Sequence, residues 1–423
     1  MEGTSQNVIK IAALCGMIWF ACIIDACYTW FLPWMIRYLI SAPLVIYSTI
    51  LLKKEDRLVI SKQRRIIFIL LLVLILFLIV TKARLFEAPL CYGPLACVIL
   101  WDEQTLLKFY TYFKKFVILY AVISIFVEIL VLTDSWHYLP YVDLPPQDTV
   151  QENLDVTNHV FGLFVIPQYG FDVGAFYRAM GPLREGGHFS IFIGFVYFVE
   201  KCVYDKRNIL LIVAGLLTLS PNFVFYFLLA EGYVAIKKKR IIKSLVQLVC
   251  FVALIAAILL YSPDFIQDAI VKIVLERSLQ ENVENMGSNG FMALIEGRTD
   301  MGGEQMYSNF VNRAGLVSKM VGMSYTKVDF VLSDFRTLIC HYGYLGFTLF
   351  VGITYAVACL SRNKFYGMLA FLLGAYVMIS RAWMFDQSYI WMMMFFASIV
   401  FCYESNRRMG DENEVSKSVV EIK

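Results

Sequence analysis

The feature that most constrains the fold is a series of twelve apolar runs with the character of membrane-spanning helices. An α-helix needs about 20 mostly apolar residues to cross the hydrocarbon core of a bilayer, with a range of about 17–25. The runs occupy residues 11–31, 34–52, 66–81, 88–101, 116–133, 188–200, 208–220, 222–236, 245–261, 337–360, 365–383 and 388–403. We therefore predict an all-α polytopic membrane protein with about 12 transmembrane helices.

The composition excludes the other broad classes of protein. Of the 423 residues, 59% are hydrophobic and only 17% are charged, whereas a soluble domain carries roughly 25% charged residues. So much apolar surface fits neither one soluble core nor a disordered chain. The net charge of +3 gives no indication of a nucleic-acid partner. All ten Cys lie in or beside apolar runs and are expected to be buried thiols.

Basic residues predict which loops face the cytoplasm, because Lys and Arg concentrate in cytoplasmic loops. Loops 53–65, 201–207, 237–244 and 361–364 are all basic. With twelve spans, these four loops and both termini fall on the cytoplasmic side of a bacterial inner membrane. The start of the chain, MEGTSQNVIK, has neither a basic n-region nor an A-x-A site, so we expect the first span to act as an uncleaved anchor.

The same topology predicts one transmembrane domain, 1–403, with two enlarged periplasmic loops and a polar cytoplasmic tail, 404–423. The enlarged loops are 134–187 and 262–336. In the second, stretches 264–285 and about 304–321 carry apolar residues at helical spacing. We expect amphipathic helices there that lie on the outer leaflet and move aside for a long substrate.

Arginine is unusually frequent among the basic residues of the predicted outer side. That side carries 9 Arg and 4 Lys, whereas the inner side carries 8 Arg and 16 Lys. The planar guanidinium group binds phosphate through two parallel hydrogen bonds, so the excess favours an anion site facing the periplasm. Pairing of individual Arg with outer acids, or contact with lipid headgroups, remains the alternative.

The segment 178–188, just before the sixth span, combines two Arg with Glu185 and His188. Gly181, Gly186 and Gly187 allow turns and leave backbone N–H groups open to a ligand. A helix that starts near His188 would direct its positive N-terminal end at an anion on the outer side. Glu185 or His188 could accept a proton from a sugar hydroxyl. A capped helix start with an internal Arg–Glu pair is the structural alternative.

This segment resembles one found in bacterial O-antigen and capsular polysaccharide repeat-unit polymerases. The shared pattern is Arg-x-x-Gly-x-x-x-Glu-(Pro/Gly)-Gly-His, with Gly186 where that family often has Pro. The stretch Ser333-Asp-Phe-Arg336, followed by His341-Tyr-Gly-Tyr-Leu-Gly346, is a second similarity. The number of spans and the two enlarged outer loops also match the family.

The resemblance implies a metal-independent glycosyltransferase of O-antigen, lipopolysaccharide or capsule assembly. A growing glycan would leave undecaprenyl pyrophosphate, a polyprenyl carrier, and join the next lipid-linked repeat unit, so the donor, the acceptor and the bilayer are the partners. No cofactor or nucleic acid is expected; a chain-length regulator is a further expected partner. The catalytic candidates are His188, Glu185 and Arg184. Pyrophosphate binding is assigned to Arg178, Arg184, Arg298 and Arg336, with Arg313 and Arg381 in reserve, and His341 is the second candidate base.

Two alternatives remain open. An O-antigen ligase would use the same donor and differ only in its acceptor, lipid A-core. A polysaccharide flippase or exporter would instead show internal symmetry, charges inside the spans and short loops. The loop between the first two spans, about 31–35, is too short to carry the paired acids of metal-dependent oligosaccharyltransferases, and no Cys/His cluster has zinc spacing.

Overall fold

The computed structural model describes residues 2–145, 156–169, 179–183, 186–218, 220–240, 301–323, 335–361, 364–380, 382–385 and 387–403. Helices account for 78% of these residues. The first six α-helices are α1 (Glu2–Ile23), α2 (Trp34–Lys54), α3 (Lys62–Lys82), α4 (Glu87–Ile99), α5 (Glu103–Leu132) and α6 (Gly186–Tyr204). They are followed by α7 (Ile209–Leu217), α8 (Pro221–Lys237), α9 (Met301–Arg313), α10 (Leu316–Val321), α11 (Phe335–Ala358), α12 (Lys364–Ser380), α13 (Ala382–Phe385) and α14 (Ser388–Tyr403).

Five of these helices are long and apolar enough to cross a membrane: α1 from Ser5 onwards, α2, α3, α5 and α11. Helices α4, α12 and α14 are apolar but shorter. Each predicted span within the described residues contains a helix, including 88–101, where α4 runs through Pro89, Gly93 and Pro94. The helix in the predicted span 208–220 is α7, whose nine residues are too few to cross a bilayer. The predicted span 245–261 and the stretch 264–285 lie outside the described residues, as does the tail 404–423.

Short polar residues define where several helices begin. The Ser61 side chain accepts a hydrogen bond from the backbone N–H of Arg64 at the start of α3. Asn208 caps α7 through the N–H of Leu210, and Ser220 caps α8 through the N–H of Asn222. Such caps satisfy N–H groups that have no partner inside the helix.

Two helices differ from the predicted spans. Helix α1 ends at Ile23, whereas the run 11–31 predicts a helix that continues to residue 31. Asp25 takes a left-handed backbone conformation, with φ of 54°, which ends the helical path. A short 3-10 helix, Cys27–Thr29, follows. Helix α5 is longer than the run 116–133 predicts: its 30 residues begin at Glu103.

The chain forms two compact units, and α5 begins in the first and ends in the second. The first comprises Met1–Ile23, Pro33–Tyr112 and Arg298–Lys423. In it, α2 packs on α1 and α4, and α11 packs on α3, α10 and α12. Aromatic rings fill its core: Phe109 and Phe396 lie 4.8 Å apart between ring centroids, and Phe350 and Trp391 lie 5.6 Å apart.

The second unit comprises Ile24–Leu32 and Phe113–Gly297. Its helices α6 and α8 pack closely, because Gly194 has no side chain to separate them. A Cβ at Gly194 would lie 2.5 Å from Cδ2 of Tyr226. Nearly every described side chain of α6 is buried, which is consistent with its continuous apolar sequence.

The first enlarged loop, 134–187, contains a small β-sheet that the sequence analysis does not predict. Strands β1 (Val142–Leu144), β2 (Val156–Val160) and β3 (Val165–Tyr169) form an antiparallel sheet in the order β1-β2-β3. In the second loop, the stretch 304–321 does form helices, α9 and α10.

Candidate functional site

The predicted site residues fall into two groups according to the unit that holds them. His188 belongs to the second unit, whereas Arg313, Arg336 and His341 belong to the first. The other predicted residues, Arg178, Arg184, Glu185, Arg298 and Arg381, lie outside the described residues.

In the second unit, the segment before α6 makes the sharp turn that its glycines predict. Gly181 has a φ of +59°, and a Cβ there would lie 2.8 Å from Cε1 of Phe189. The turn brings the chain back onto the start of α6, so only glycine fits this position without strain. Helix α6 then begins at Gly186, two residues before the predicted start, and His188 lies buried in its first turn.

The first turn of α6 is held by polar contacts from α8. The Ser190 hydroxyl donates to the carbonyl of Gly187 at 2.7 Å and shares a hydrogen bond with the Ser220 hydroxyl at 2.9 Å. The Asn222 amide donates to the same carbonyl of Gly187 at 3.1 Å. These buried bonds fix the backbone on either side of His188, which gives its imidazole a defined position.

A segment far away in the sequence supports the same turn. The backbone N–H of Cys27 donates to the carbonyl of Pro182 at 2.6 Å. Cys27 also packs with Met180 and with Val160 and Val165 of the sheet. Because α1 ends at Ile23, the residues that follow it are able to contact the turn at Gly181.

In the first unit, α11 is broken beside His341. Gly343 has a φ of 66° and a ψ of −178°, which interrupts the helix inside a segment of membrane-spanning length. The break is locked by Gly322, which has a φ of +80° and follows α10. A Cβ on either glycine would overlap the backbone of the other segment. Irregular backbone at membrane depth is tolerated only where protein or a polar cavity surrounds it.

Lys82, at the end of α3, ties this break to the chain after α10. Its ammonium donates to the carbonyl of Met323 at 2.8 Å, and the N–H of Met323 donates to the carbonyl of Cys340 at 2.8 Å. Lys82 Nζ also lies 6.0 Å from the ring centroid of Tyr342. Its charge and that of Arg84 are close enough to act on His341.

Lys82 is one of the basic residues of the predicted outer side, but no motif in the sequence assigns it a role. Its signal in the sequence is only a lysine that ends an apolar run on the predicted outer side. Nothing local to that run shows that the ammonium reaches Met323, because 241 positions separate the two residues.

The two described candidate arginines differ in their surroundings. The Cζ atom of Arg336 lies 5.8 Å from the ring centroid of Tyr307 in α9, which is a cation–π distance. Tyr307 in turn packs against Phe310, Ile339 and Cys340. Arg336 is therefore held at the same end of α11 as His341. Arg313 ends α9 as an exposed side chain, a poorer position for a preorganised site.

At the end of each unit opposite the candidate site residues, charged contacts hold the loops together. In the first unit, Arg57 pairs with Asp102 at 2.8 Å and bonds the Ser5 hydroxyl. These residues lie at the opposite end of α3 from Lys82, because Val59 pairs by backbone with Leu100 beside the start of α3. The N-terminal segment and loop 53–65 thus share one end, as the predicted topology requires.

In the second unit, loops 201–207 and 237–244 share an end. Asp205 pairs with both Lys201 and Lys238, and Arg207 forms a two-pronged pair with Glu231. Partial burial acts to raise the pKa of Asp205, but the hydrogen bonds from Lys201 and Lys238 outweigh it and lower that pKa. The hydrogen bond to Glu231 raises the pKa of Arg207. All five groups are therefore paired, an arrangement typical of a structural tie.

Comparison with protein-family models, with curated proteins and with solved structures finds no match for the chain. The geometry of the two units is therefore the basis for assigning a function.

Proposed function

We propose that the chain is a membrane glycosyltransferase that polymerises lipid-linked repeat units at the periplasmic face of the bacterial inner membrane. The observation that supports this most is the basic group at the break in α11. Lys82, Arg84 and Arg336 lie there beside the imidazole of His341 in one unit, at one end of a helix of membrane-spanning length. Cationic side chains at such a depth are costly and mark functional sites.

The chemistry of this group fits a pyrophosphate leaving group. When the acceptor hydroxyl attacks the anomeric carbon, the bond from that carbon to the pyrophosphate oxygen breaks and negative charge grows on the phosphate. Fixed cations stabilise that charge without having to reorganise during the reaction. Lys82 and Arg336 are fixed by the Met323 carbonyl and the Tyr307 ring, so both are preorganised. Arg84 is less available, because it pairs with Glu87 at 3.4 Å.

The remaining roles follow the sequence resemblance. Arg178, Arg184, Arg298 and Arg381 are assigned to the same donor, with Arg313 in reserve. His188 or Glu185 takes the proton of the acceptor hydroxyl, and His341 is the second candidate base. The buried, buttressed position of His188 supports its role, because a general base needs a fixed orientation.

A polysaccharide exporter or flippase is the second candidate function. The break in α11 favours it, because interrupted spans line the substrate sites of many transporters. A ligase that transfers the same donor to lipid A-core shares all the chemistry above. The three proteins differ in what they make: a long glycan, a glycan on lipid A-core, or no new glycosidic bond.

A purified assay tests the proposal. The protein in lipid vesicles receives lipid-linked repeat units extracted from cells that lack it, and the products are separated by length. Under the proposal a ladder of longer glycans forms without nucleotide, and a chelator does not prevent it. Translocation of the repeat units without any new glycosidic bond would instead establish the exporter.

Variants of the first unit connect this activity to the basic group. Removing one preorganised donor to a developing negative charge typically costs about 10²–10³ in rate, so Arg336→Ala should nearly abolish the ladder. Loss of a general base costs about 10²–10⁴, so His341→Ala should do the same where His341 takes the acceptor proton. Arg65→Ala is the matched control, since Arg65 is exposed at the opposite end of α3. A normal ladder from both site variants would contradict the assignment of this group.

A further inference from the structure

A single buried acid of the second unit lacks the partner that the other buried charges have. Four charged side chains are fully buried among the described residues: Arg64, Glu128, Glu200 and Lys201. Arg64 donates to the carbonyls of Ile99 and Trp101, Glu200 accepts from Lys114 at 3.1 Å, and Lys201 pairs with Asp205. Glu128 is 3% exposed, and its Oε2 atom has no hydrogen-bond partner in the described part of the chain.

Ser124, one helical turn before Glu128 on α5, is also buried without a hydrogen-bond partner in the part of the chain that the structure describes. It is 2% exposed. In other candidate spans Ser41, Ser48 and Thr354 donate to the carbonyl one turn earlier, although the hydroxyls of Thr105, Ser388 and Ser398 also have no partner among the residues described. Residues four apart lie on one face of a helix, so Ser124 and Glu128 form an adjacent polar pair.

The pair lies at the end of the second unit that carries the turn before α6. Tyr120, one turn before Ser124, stacks with Tyr28 at 6.5 Å between ring centroids. Tyr28 adjoins Cys27, whose N–H binds Pro182 in the Gly181 turn. On the other side of the pair, Val127 and Val131 pack against Trp136 and Ile166 of the loop 134–187.

A buried carboxyl group and hydroxyl group without partners weaken the fold, because burial removes water and nothing replaces it. Such a cost is expected where a ligand supplies the missing hydrogen bonds. The pair can accept and donate hydrogen bonds, but a carboxylate repels phosphate. A neutral ligand rich in hydroxyl groups therefore fits the pair.

We infer that Ser124 and Glu128 form a hydroxyl-binding subsite for the acceptor sugar, distinct from the cationic group that binds pyrophosphate. The inference rests on the proposed function for the identity of the sugar. Glu128 accepts a hydrogen bond from one sugar hydroxyl, and Ser124 bonds a neighbouring hydroxyl. The two residues thus orient the acceptor and take no part in bond breaking.

The test separates ligand binding from folding by comparing two buried glutamates of the same unit. Glu128→Met removes an unpartnered carboxyl, so the thermal unfolding temperature should stay the same or rise. Glu200→Met breaks the pair with Lys114, so that temperature should fall. A fall for Glu128→Met like that for Glu200→Met would show a structural role and overturn the inference.

Binding and kinetics complete the test. The probe is the phosphate-free oligosaccharide released from the lipid-linked repeat units by mild acid. We expect it to bind the wild-type protein and Glu200→Met, and to bind Glu128→Met and Ser124→Ala at least about tenfold more weakly. The KM for the acceptor should rise in step, while inhibition by inorganic pyrophosphate should not change.

The outcomes distinguish the inference from the function on which it rests. If transfer is observed and Glu128→Met keeps the wild-type acceptor KM and oligosaccharide affinity, the subsite is wrong and the polymerase stands. If no transfer is observed but the oligosaccharide binds in a Glu128-dependent manner, the subsite stands and the polymerase does not.

Discussion

At the scale of single residues, Lys82 shows how one side chain can serve both fold and site. Its ammonium bonds the Met323 carbonyl and places a positive charge beside Tyr342. The same charge that orders the chain after α10 is therefore available to a phosphate group. The double use proposed for Lys82 would account for a lysine at the end of an apolar run on the predicted outer side, where basic residues are disfavoured.

Replacing Lys82 by Met should reduce stability and activity together. The substitution removes a hydrogen bond from a charged group, and the Met323 carbonyl then lacks that donor. This loss should lower the free energy of unfolding by about 2 kcal/mol. Denaturation in mixed micelles measures this cost, and the glycan ladder measures activity.

Two further variants distinguish an effect of Lys82 on the fold from an effect on activity. Lys54→Met is the control, because Lys54 is exposed at the end of α2. Lys82→Arg keeps the charge and should restore part of the activity. Full activity in Lys82→Met would show that the ammonium acts only on the fold.

At the scale of elements, the break in α11 is the feature that the sequence predicts least well. The run 337–360 predicts one continuous span, and its apolar pattern does continue on both sides of Gly343. What interrupts the helix is the close approach of Gly322, 21 positions earlier, and such a tertiary contact leaves no periodic signal. The strands of the first outer loop escape prediction for a related reason, since three to five residues carry little periodicity.

Two glycines of α11 should respond in opposite ways to alanine. Gly343→Ala places a Cβ at positive φ against the backbone of Met320 and Gly322, and should cost about 2 kcal/mol or more. Gly352→Ala meets no atom within 4 Å in a regular part of the helix, so it should be neutral or stabilising. Thermal unfolding of the two purified variants compares them. Equal stability would show that the break is not locked by the two glycines.

At the scale of the whole molecule, the sequence predicts which loops share an end better than it predicts where the chemistry lies. The apolar runs and basic loops predict that Ser5 lies on the same side as loop 53–65, and that loop 201–207 lies on the same side as Lys238. In the structure, hydrogen bonds join Ser5 to loop 53–65 and an ion pair joins Lys238 to loop 201–207. Partners of the site such as Lys82 with Met323, or Cys27 with Pro182, are distant in sequence. No periodicity or charge bias encodes such pairs, so only the folded chain reveals them.

The cytoplasmic assignment of the basic loops is open to direct measurement. A reporter fused after Lys239 should signal from the cytoplasm, because this loop is rich in Lys and Arg. A reporter placed at Tyr138, an exposed residue of the first enlarged loop, should signal from the periplasm. Signals from the same compartment would contradict the predicted topology of the second unit.

The length of α5 sets how the chain meets the lipid. Thirty helical residues extend about 45 Å, against about 30 Å of hydrocarbon. The first thirteen residues of α5 include Lys108, Lys114 and Lys115, whereas the apolar part begins at Phe116. We therefore expect the surplus to emerge on the side of these lysines. Lys114 pairs with Glu200, which leaves Lys108 and Lys115 to reach anionic headgroups. In a thinner bilayer, part of the apolar half of α5 would be exposed to water. In a thicker bilayer, its lysines would lie within the hydrocarbon. The length of the lipid acyl chains should therefore change the tilt of α5.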